Sequence, residues 1–279
     1  MKRMRRLEAF GPDGYPAGAG RHLIDGDLAA HSHDYLEIAV IVAGSGTHQR
    51  ADGHTELQPG MVVAMRPGQW HGYLACVDAD IFNLYVGPEL LRRELLWTLD
   101  YPDLARFLLR GGTSTRPLSR SAAEALVGWM TDLADRSSVP NTPSAAVSLG
   151  LLCCALGEMA TGSFDTAAGR RSISPTVRQA LLVMSDEPAA AWTMSALARC
   201  VDVSVPHLHR RFTAEMGTSP MAWLARTRVE LAASMLIQDG RSVSEIGQRV
   251  GWPDPNYFSR RFRELSGDSP SEYRRRFQV

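Results

Sequence analysis

The chain contains almost no lysine. Its 30 basic residues are one lysine, Lys2, and otherwise arginine. A bias of this strength indicates a GC-rich coding sequence rather than a chemical function. Where the arginines lie is therefore more informative than how many there are.

Cysteine is also scarce, with four residues in 279. They show neither a CxxC pair nor the regular spacing of a disulfide framework. We therefore expect reduced, mostly buried thiols in a cytoplasmic protein. The four residues are Cys76, Cys153, Cys154 and Cys200.

Long apolar runs are missing as well. The best candidate, residues 145–156, contains Ser148 and Gly150 and falls short of the roughly 18 residues of a membrane span. The basic residues at the start are not followed by the apolar segment of a secretory signal. We expect no membrane partner, and we expect residues 1–20 to form a flexible tail.

The net charge of zero hides two oppositely charged parts. Residues 170–279 contain sixteen arginines and eleven acidic residues, a net charge of +5, whereas residues 1–169 carry a net charge of −5. Contacts with phosphate groups depend on basic residues. The basic part is therefore the candidate for nucleic-acid binding.

The basic part contains an internal repeat with an offset of 50 residues. Gly217 and Pro220 recur as Gly267 and Pro270, and a group of residues around position 210 recurs as well. That group is Leu208, Arg210, Arg211 and Phe212, which correspond to Phe258, Arg260, Arg261 and Phe262. Two copies are too few for a solenoid, so they indicate two copies of one small helical unit.

Each copy has the pattern of two helices joined by a tight turn. Asp202 in the first copy and Gly251 in the second tolerate the left-handed backbone that such a turn needs. Ser204 and Asp254 are favourable N-caps for the helix that follows. A proline in the first turn of that helix, at position 206 or 255, costs little because the N–H there has no partner in any case.

The second helix of each copy has a short polar face rich in arginine. Leu208 and Phe212 lie four residues apart and face inward, so His209 and Arg210 point elsewhere. Such a face suits the major groove of DNA, although it can also be an ordinary solvated surface. Because arginine recurs at the matching position, Arg260, we favour DNA binding.

Residues 175–279 resemble the DNA-binding domain of AraC/XylS-type transcription regulators. The resemblance is carried by SVPHLHRRF, by MGTSPMAWL followed by RVELAASML, and by VSEIGQRVGWPDPNYFSRRFRELSGDSPSEYR. It implies one long helix, Pro220–Gln238, between the two units, and base-reading residues in each unit. The implied DNA-binding residues are Pro206, His209, Arg210, Arg211, Asn256, Ser259, Arg260 and Arg263. Proline offers no side-chain donor, so His209 and Arg210 should carry specificity in the first unit.

Residues 21–86 form short β-like stretches separated by glycine, proline and aspartate turns, which predicts a small antiparallel barrel or sandwich. Two segments within it, HSHDYLEIAVIVAG and GMVVAMRPGQWHG, resemble the two cupin motifs. The second segment departs from the motif, since Arg66 replaces its proline and Ala75 follows where an asparagine is usual. AraC-type regulators commonly carry a cupin as their effector domain, so the two resemblances agree.

Four residues of the cupin segments could bind a metal ion. They are His31, His33, Glu37 and His71. His31 and His33 are two apart on a predicted strand and would point to one face. Three imidazoles and a carboxylate suit Zn, Mn, Fe or Ni. The alternative is that these side chains line the barrel mouth and form hydrogen bonds with an organic effector.

Other residues near the cupin segments could contact an effector. Trp70, Tyr73 and Tyr85 could stack on a sugar ring, or they could belong to the core. Arg66 could bind a carboxylate or ring oxygens through two parallel hydrogen bonds, or it could lie on the surface. The sequence does not name the effector; a sugar or sugar derivative is the first expectation and an aromatic acid the second.

Helices are predicted after the barrel at residues 88–109, at residues 121–136 and from Pro143 onward, each with an apolar stripe. The last two form an α-hairpin that could join two copies of the chain or pack on the barrel, and we favour a homodimer. Residues 161–174 contain few large apolar side chains and are the expected linker. Ser174 is the expected N-cap of the first helix that follows.

These patterns predict an α+β protein. A cupin-like antiparallel barrel with its α-hairpin is expected at residues 21–160, and an all-α domain of two helix-turn-helix units at residues 175–279. We expect a transcription regulator and no enzyme, with double-stranded DNA, a small-molecule effector and RNA polymerase as partners. The alternative is a cupin metalloenzyme, or a metal or redox sensor, fused to a DNA-binding domain.

Overall fold

A computed structural model describes most of the chain, and its residues form two compact units. The first unit comprises residues up to 97 together with 103–169, and the second comprises residues 98–102 together with those from 170 onward. The described residues are 9–10, 15–33, 35–51, 53–87, 90–92, 94–110, 112–113, 117–137, 145–162, 173–238 and 240–277.

An antiparallel sheet of six strands forms the core of the first unit. Its strands are β1 (Ala17–His31), β2 (Leu36–Arg50), β3 (Gly53–Glu56), β4 (Val62–Met65), β5 (His71–Val86) and β6 (Gly112–Thr113). The order across the sheet is β1-β5-β2-β4-β6, and β3 pairs with β2. Register shifts interrupt the pairing of β5 with both β1 and β2, so the three long strands can bend.

Alternation along β2 separates two buried layers. Leu36, Ile38 and Val40 belong to one apolar cluster, which also contains helix residues, whereas Ala39 and Ile41 belong to a second cluster made only of strand and loop residues. Since successive side chains of a strand point to opposite faces, Glu37 lies on the side of the second cluster. That side is the interior of a cupin-like barrel.

Helical segments follow β5. They are the 3₁₀ helices Leu90–Arg92 and Leu96–Asp100, then α1 (Pro102–Arg110), α2 (Arg120–Ser137) and α3 (Ala145–Gly162). The predicted helix at 88–109 is therefore wrong as a continuous element, because the described residues form short pieces rather than one helix. Both α2 and α3 contribute apolar residues to the outer cluster, among them Leu126, Met130 and Leu152.

All regular secondary structure among the described residues of the second unit is helical. Its helices are α4 (Pro175–Asp186), α5 (Met194–Cys200), α6 (Val205–Met216), α7 (Pro220–Gln238), α8 (Val243–Arg249), α9 (Pro255–Ser266) and α10 (Pro270–Phe277). Ser174 caps α4 by accepting a hydrogen bond from the amide of Val177, as expected. A sheet domain followed by a helical domain with two helix-turn-helix units confirms the predicted fold class.

The beginning of the chain differs from the expected flexible tail. Residues 17–20 are part of β1 and pair with residues 83–86 of β5, and Phe10 is buried against Tyr35. Glycine and alanine there do not have the apolar pattern of a strand, so the sequence did not predict one. Their small side chains leave room for the aromatic residues of the barrel. Most of the expected linker, residues 163–172, lies outside the described residues. Among the described helices, none is both long enough and apolar enough to cross a membrane.

Candidate DNA-recognition helices and barrel site

Two left-handed residues form the turns of the helix-turn-helix units. Asp202 has a φ of 52°, and Gly251 has a φ of 83°. A Cβ atom on Gly251 would lie 2.4 Å from the carbonyl oxygen of Ala189, so this turn also requires the absence of a side chain. Both turns were predicted from the sequence, and both residues occupy the backbone region for which they were chosen.

Caps and buried aromatic residues orient the second helix of each unit. Ser204 accepts a hydrogen bond from the amide of His207, and Asp254 accepts two from the first turn of α9. Phe212 of α6 is fully buried, as are Phe258 and Phe262 of α9. With these side chains fixed inward, the opposite face of each helix is exposed.

The predicted base-reading residues lie together on these exposed faces. Pro206, His209 and Arg210 are exposed on α6, and Asn256 and Arg260 are exposed on α9. Ser259 is half-buried on α9. Within the described residues neither Arg210 nor Arg260 forms an ion pair, so both guanidinium groups are available to a partner.

Two of the predicted DNA-binding arginines are engaged within the protein. The Nε of Arg211 lies 2.9 Å from a carboxylate oxygen of Glu215, and Arg263 lies 3.1 Å from Glu272. Each carboxylate also accepts hydrogen bonds from a serine at a helix start, Ser174 or Ser269. Arg211 and Arg263 therefore each have a carboxylate partner, whereas Arg210 forms no ion pair within the described residues.

A buried polar cluster lies inside the barrel. His33, Glu37 and His71 each offer a ligand atom, and these atoms all lie within 4.8 Å of one another. The Nε2 atoms of both histidines are 3.7 Å from the Glu37 carboxylate, one at each oxygen. All four atoms are buried without a hydrogen-bond partner among the described residues. Buried polar groups are normally hydrogen-bonded, so this cluster is a candidate site for a bound ligand.

A hydrogen bond on the far side of its ring defines the tautomer of His33. The Nδ1 of His33 lies 2.8 Å from the carbonyl oxygen of Tyr35, and since a carbonyl can only accept, Nδ1 carries the proton. The Nε2 of His33 therefore presents a lone pair toward Glu37. The Nδ1 of His71 lies 3.2 Å from the Nε2 of His48, a buried residue that the sequence analysis did not single out.

Burial determines the protonation of this cluster in the absence of a cation. It raises the pKa of Glu37 to about 8, and it lowers the pKa of His33 and of His48 to about 3. The pKa of His71 is lowered well below its usual value for the same reason. Near neutral pH the carboxyl group is then protonated and the imidazoles are neutral.

The donor set of this cluster fits a divalent metal ion. Two imidazole nitrogens and one carboxylate, all buried and close together, resemble the two-histidine, one-carboxylate sets that bind transition metals such as Fe(II). Each ring is also fixed on its other side, His33 by the carbonyl of Tyr35 and His71 by His48, as is usual for metal-binding histidines.

The structure does not bring His31 into this group. Its Nδ1 lies 3.1 Å from the carbonyl oxygen of Ala29, and its ring lies beside that of His71, with centroids 4.2 Å apart. The expectation that His31 and His33 share a face assumed one continuous strand. In fact β1 ends at His31, and His33 lies in the connection to β2, so the period of two does not apply.

The other predicted effector residues have different environments. Arg66 is buried, and its Nη1 donates to the carbonyl oxygen of Leu108 at 2.9 Å, so it supports the end of α1. Trp70 is half-buried in the connection before β5. Tyr85 is buried, and its hydroxyl group lies 2.8 Å from the Nε2 of His22.

Sequence reasoning missed several polar residues of the barrel interior. Among them, His48 and Asn83 are buried. Arg50 is the cross-strand neighbour of His71 and lies two residues from His48, on the same side of β2. The sequence has no alternation that would single out His48 and Arg50, because Thr47 and Gln49 are polar as well; their side of β2 follows from its pairing with β5.

Comparison with known families gives two matches that together cover most of the chain. Residues 17–142 match the family described as AraC-like ligand binding domain, and residues 197–276 match a family described as helix-turn-helix domain. The first match contains the strands of the barrel and α2, and the second contains both helix-turn-helix units. Apart from residues 98–102, the first match lies within the first compact unit, and the second match lies within the second unit.

Individual proteins show the same similarity. A protein of Streptomyces lividans described as an AraC-like transcription regulator is 35% identical over 101 residues, which is 36% of this chain and 33% of that protein. The chain thus aligns with about a third of the length of this relative. The HTH-type transcriptional activator RhaS of Escherichia fergusonii is 25% identical over 98% of this chain and 97% of its own length. The structure of ToxT from Vibrio cholerae, which covers 95% of this chain and 100% of ToxT at 10% identity, has the same fold with a TM-score of 0.54.

Proposed function

Since the chain belongs to the AraC family of transcription regulators, we propose that it binds specific DNA sequences and controls transcription in response to a small molecule. The observation that carries this proposal is the pair of helix-turn-helix units with exposed arginine at matching positions, Arg210 and Arg260. In this proposal α6 and α9 enter successive major grooves on one face of the DNA. Half-sites of this kind are about one helical turn, or roughly 34 Å, apart.

Arg210 and Arg260 would each donate two hydrogen bonds to the edge of a guanine, because the guanidinium group matches its O6 and N7 atoms. His209 and Asn256 would read neighbouring bases. Phosphate contacts would supply the remaining affinity, with a dependence on salt concentration. Pro206 has no side-chain donor and would contribute shape alone.

The effector would bind in the barrel interior. Unpaired buried polar atoms at His33, Glu37 and His71 can satisfy the hydroxyl groups of a compact polar molecule such as a sugar or sugar derivative. Arg50, beside His71, could bind a ring oxygen or a carboxylate. Binding would shift the protein between two arrangements of its DNA-binding units.

A second function is a metal-dependent sensor, which the donor set of His33, Glu37 and His71 favours. A divalent ion held by these residues would supply a Lewis-acidic position that can coordinate oxygens of the effector. The protein residues would orient the effector and exclude water. The described barrel offers no distinct acid and base beside this cluster, so regulation fits it better than turnover.

The homodimer would form through α3. The exposed residues Val147, Gly150 and Cys154 lie on one side of this helix, and residues 145–157 contain no charged side chain. A Cβ atom on Gly150 would meet no atom within 4 Å, so the surface there is open. A surface helix without charges on its exposed side is typical of a protein contact.

RNA polymerase would be a further partner, as expected for a regulator bound near a promoter. The protein would act in the cytoplasm, where bacterial DNA is found.

Selection of duplex DNA from a random-sequence pool by the full chain tests the proposed function. We expect enrichment of one sequence with two half-sites, and an affinity for it at least about a thousandfold above that for random duplex at the same salt concentration. A panel of sugars, sugar acids and aromatic acids, with and without Zn²⁺, Mn²⁺, Fe²⁺ or Ni²⁺, should then contain a compound that changes this affinity. Failure to enrich any sequence would contradict the proposal that the protein binds specific DNA sequences to control transcription.

A further inference from the structure

Tyr257 lies in the first turn of α9 and is 40% exposed, which is high for an aromatic residue next to a buried core. It precedes Arg260 by three residues, so the two side chains are neighbours on the helix surface. The central carbon of the Arg260 guanidinium lies 5.4 Å from the centroid of the Tyr257 ring. This distance is within the range of a cation–π contact.

The Tyr257 ring is supported from the protein side by Trp252. The two ring centroids are 6.0 Å apart, and the planes meet at 74°, an edge-to-face arrangement. Trp252 is buried, with 6% of its surface exposed, and it also packs on Phe258. The position of the Tyr257 ring therefore depends on a residue of the core.

Arg228 of α7 fixes Trp252 in turn. Its guanidinium carbon lies 5.6 Å from the Trp252 ring centroid. Its nitrogens donate to the carbonyl oxygens of Pro188 and Ala190 at 2.7 Å and to that of Gly251 at 3.2 Å. Arg228, Trp252, Tyr257 and Arg260 thus form a continuous stack, named here the cation–aromatic ladder, from the helix between the two units to the exposed face of α9.

The first helix-turn-helix unit has no such ladder. Val203 follows the turn residue Asp202 where Trp252 follows Gly251, and the offset of 50 residues within the second helix places His207 at the position of Tyr257. Within the described residues, Arg210 makes no cation–π contact. The two units therefore carry the same exposed arginine, but they differ in how it is held.

We propose that Tyr257 is a positioning residue that orders Arg260 for base recognition, an inference that rests on the proposed function of α9 in reading DNA. A free arginine side chain samples many rotamers and loses this freedom when it binds a base. With its guanidinium against the Tyr257 ring, Arg260 loses part of that freedom before binding. Stacking leaves the N–H groups at the rim of the guanidinium free for the O6 and N7 atoms of guanine.

Replacements of Tyr257 distinguish this role from a phosphate contact by its hydroxyl group and from a contribution of apolar bulk alone. Tyr257→Phe keeps the ring and removes the hydroxyl group, so it reports a phosphate contact by that group. Tyr257→Leu keeps apolar bulk and removes the ring face. Tyr257→His introduces the residue that the first unit carries at the matching position, where it is compatible with the fold.

The experiment uses the full chain and the duplex that it selects from random DNA. The base pair read by Arg260 is first identified as the one at which Arg260→Ala loses discrimination. The ratio of the dissociation constants for the substituted and the selected duplex is then measured for each variant at fixed salt, together with its melting temperature. Tyr257→Leu and Tyr257→His should lower this ratio roughly threefold to tenfold, whereas Tyr257→Phe should retain it.

The same replacements in the Arg260→Ala background should leave the ratio unchanged, because no guanidinium remains to be ordered. The proposal would be overturned if Tyr257→Leu and Tyr257→His lost the same affinity for both duplexes, or if Tyr257→Phe lowered the ratio as much as they do. It would also be overturned if these replacements lowered the ratio as much in the Arg260→Ala background as in the wild type. If Arg260→Ala itself keeps full discrimination at every base pair, the base-reading role of Arg260 fails and the ladder proposal fails with it. If no sequence is selected at all, the failure lies in the proposed function.

Discussion

Arginine occurs at two kinds of position on the recognition helices, and contacts within the protein separate them. Arg210 and Arg260 form no ion pair within the described residues, whereas Arg211 is bound to Glu215 and Arg263 to Glu272. An ion pair at an exposed site contributes little to stability, about 0.2–1 kcal/mol, but it restricts where the guanidinium group points. The four arginines should therefore differ in their effect on DNA binding.

Arg260→Ala tests this difference. We expect a loss of about 1–3 kcal/mol on the selected duplex, together with a relaxed preference at one base pair, because the bidentate contact is removed. Arg211→Ala is the matched control. It should weaken binding less than Arg260→Ala does, and by about the same amount on selected and random duplexes. Fluorescence anisotropy titrations on selected and random duplexes make the measurement. Equal losses on both duplexes for Arg260→Ala would exclude a base-reading role.

Glu37 is the residue on which the metal hypothesis depends. Protein purified untagged and without chelator should contain about one equivalent of a divalent metal, and Glu37→Gln and His71→Ala should each lose it, since each change removes one of the three ligand atoms of the site. Metal analysis of the three proteins decides the matter. A wild-type protein without metal would leave a site for an organic effector alone.

The raised pKa of Glu37 gives a test by pH that uses metal-free protein. Its usual value is 4.5, and burial raises it to about 8, so the folded protein holds a proton that the unfolded chain releases. The stability contributed by this proton is present below pH 4.5 and is lost as the pH rises to about 8. In the presence of chelator, the melting temperature of the wild type should therefore fall relative to that of Glu37→Gln over this interval. Parallel curves would show that the carboxyl group is not buried as described.

At the scale of elements, the turn before α9 is the most constrained backbone of the second helix-turn-helix unit. Gly251 combines a positive φ with a carbonyl oxygen 2.4 Å from the position of a Cβ atom. Gly251→Ala should lower the free energy of unfolding by about 1–3 kcal/mol, since the turn or the segment around Ala189 must shift. Gly240→Ala is the control, because a Cβ atom there would meet nothing within 4 Å. Thermal unfolding of both variants tests the difference, and equal melting temperatures would contradict it.

The exposed side of α3 makes a prediction about assembly. Val147→Arg introduces a charge into a side without charged residues and should convert the dimer into a monomer, since an unpaired charge at a helix–helix contact is costly. Thr131→Arg, on the exposed side of α2, is the control and should leave the dimer intact. Sedimentation at tens of micromolar measures the mass of each variant. A monomeric wild type, or an undisturbed Val147→Arg dimer, would remove α3 from the interface.

At the scale of the whole molecule, the charge asymmetry follows the division into two units. The positive charge resides in the second unit, whose helices have their own buried core of residues such as Phe212, Trp223 and Phe262. Residues 170–279 alone should therefore fold and bind DNA, with no response to the effector. Circular dichroism and titration with the selected duplex test this, and an unfolded fragment would show that the core of the second unit is incomplete.

Most of the architecture of the second unit could be predicted from its sequence. Its repeat predicted both turns and both N-caps, and the inward-facing residues Leu208, Phe212, Phe258 and Phe262 are all buried. This was possible because a helix-turn-helix is specified by local signals: caps, a left-handed turn residue and apolar residues four apart. The cupin-like fold followed from its motifs rather than from periodicity.

Which side chains meet in the barrel could not be predicted, because it depends on how the strands and helices pack. His31 was expected among the metal ligands and His48 was not, because the bend at the end of β1 and the register of β2 with β5 depend on pairing between residues far apart in the sequence. The position of Arg66 against Leu108 and the ladder from Arg228 to Arg260 have the same origin. Spacing along the chain identifies neighbours within one element, whereas contacts between elements depend on how the elements pack.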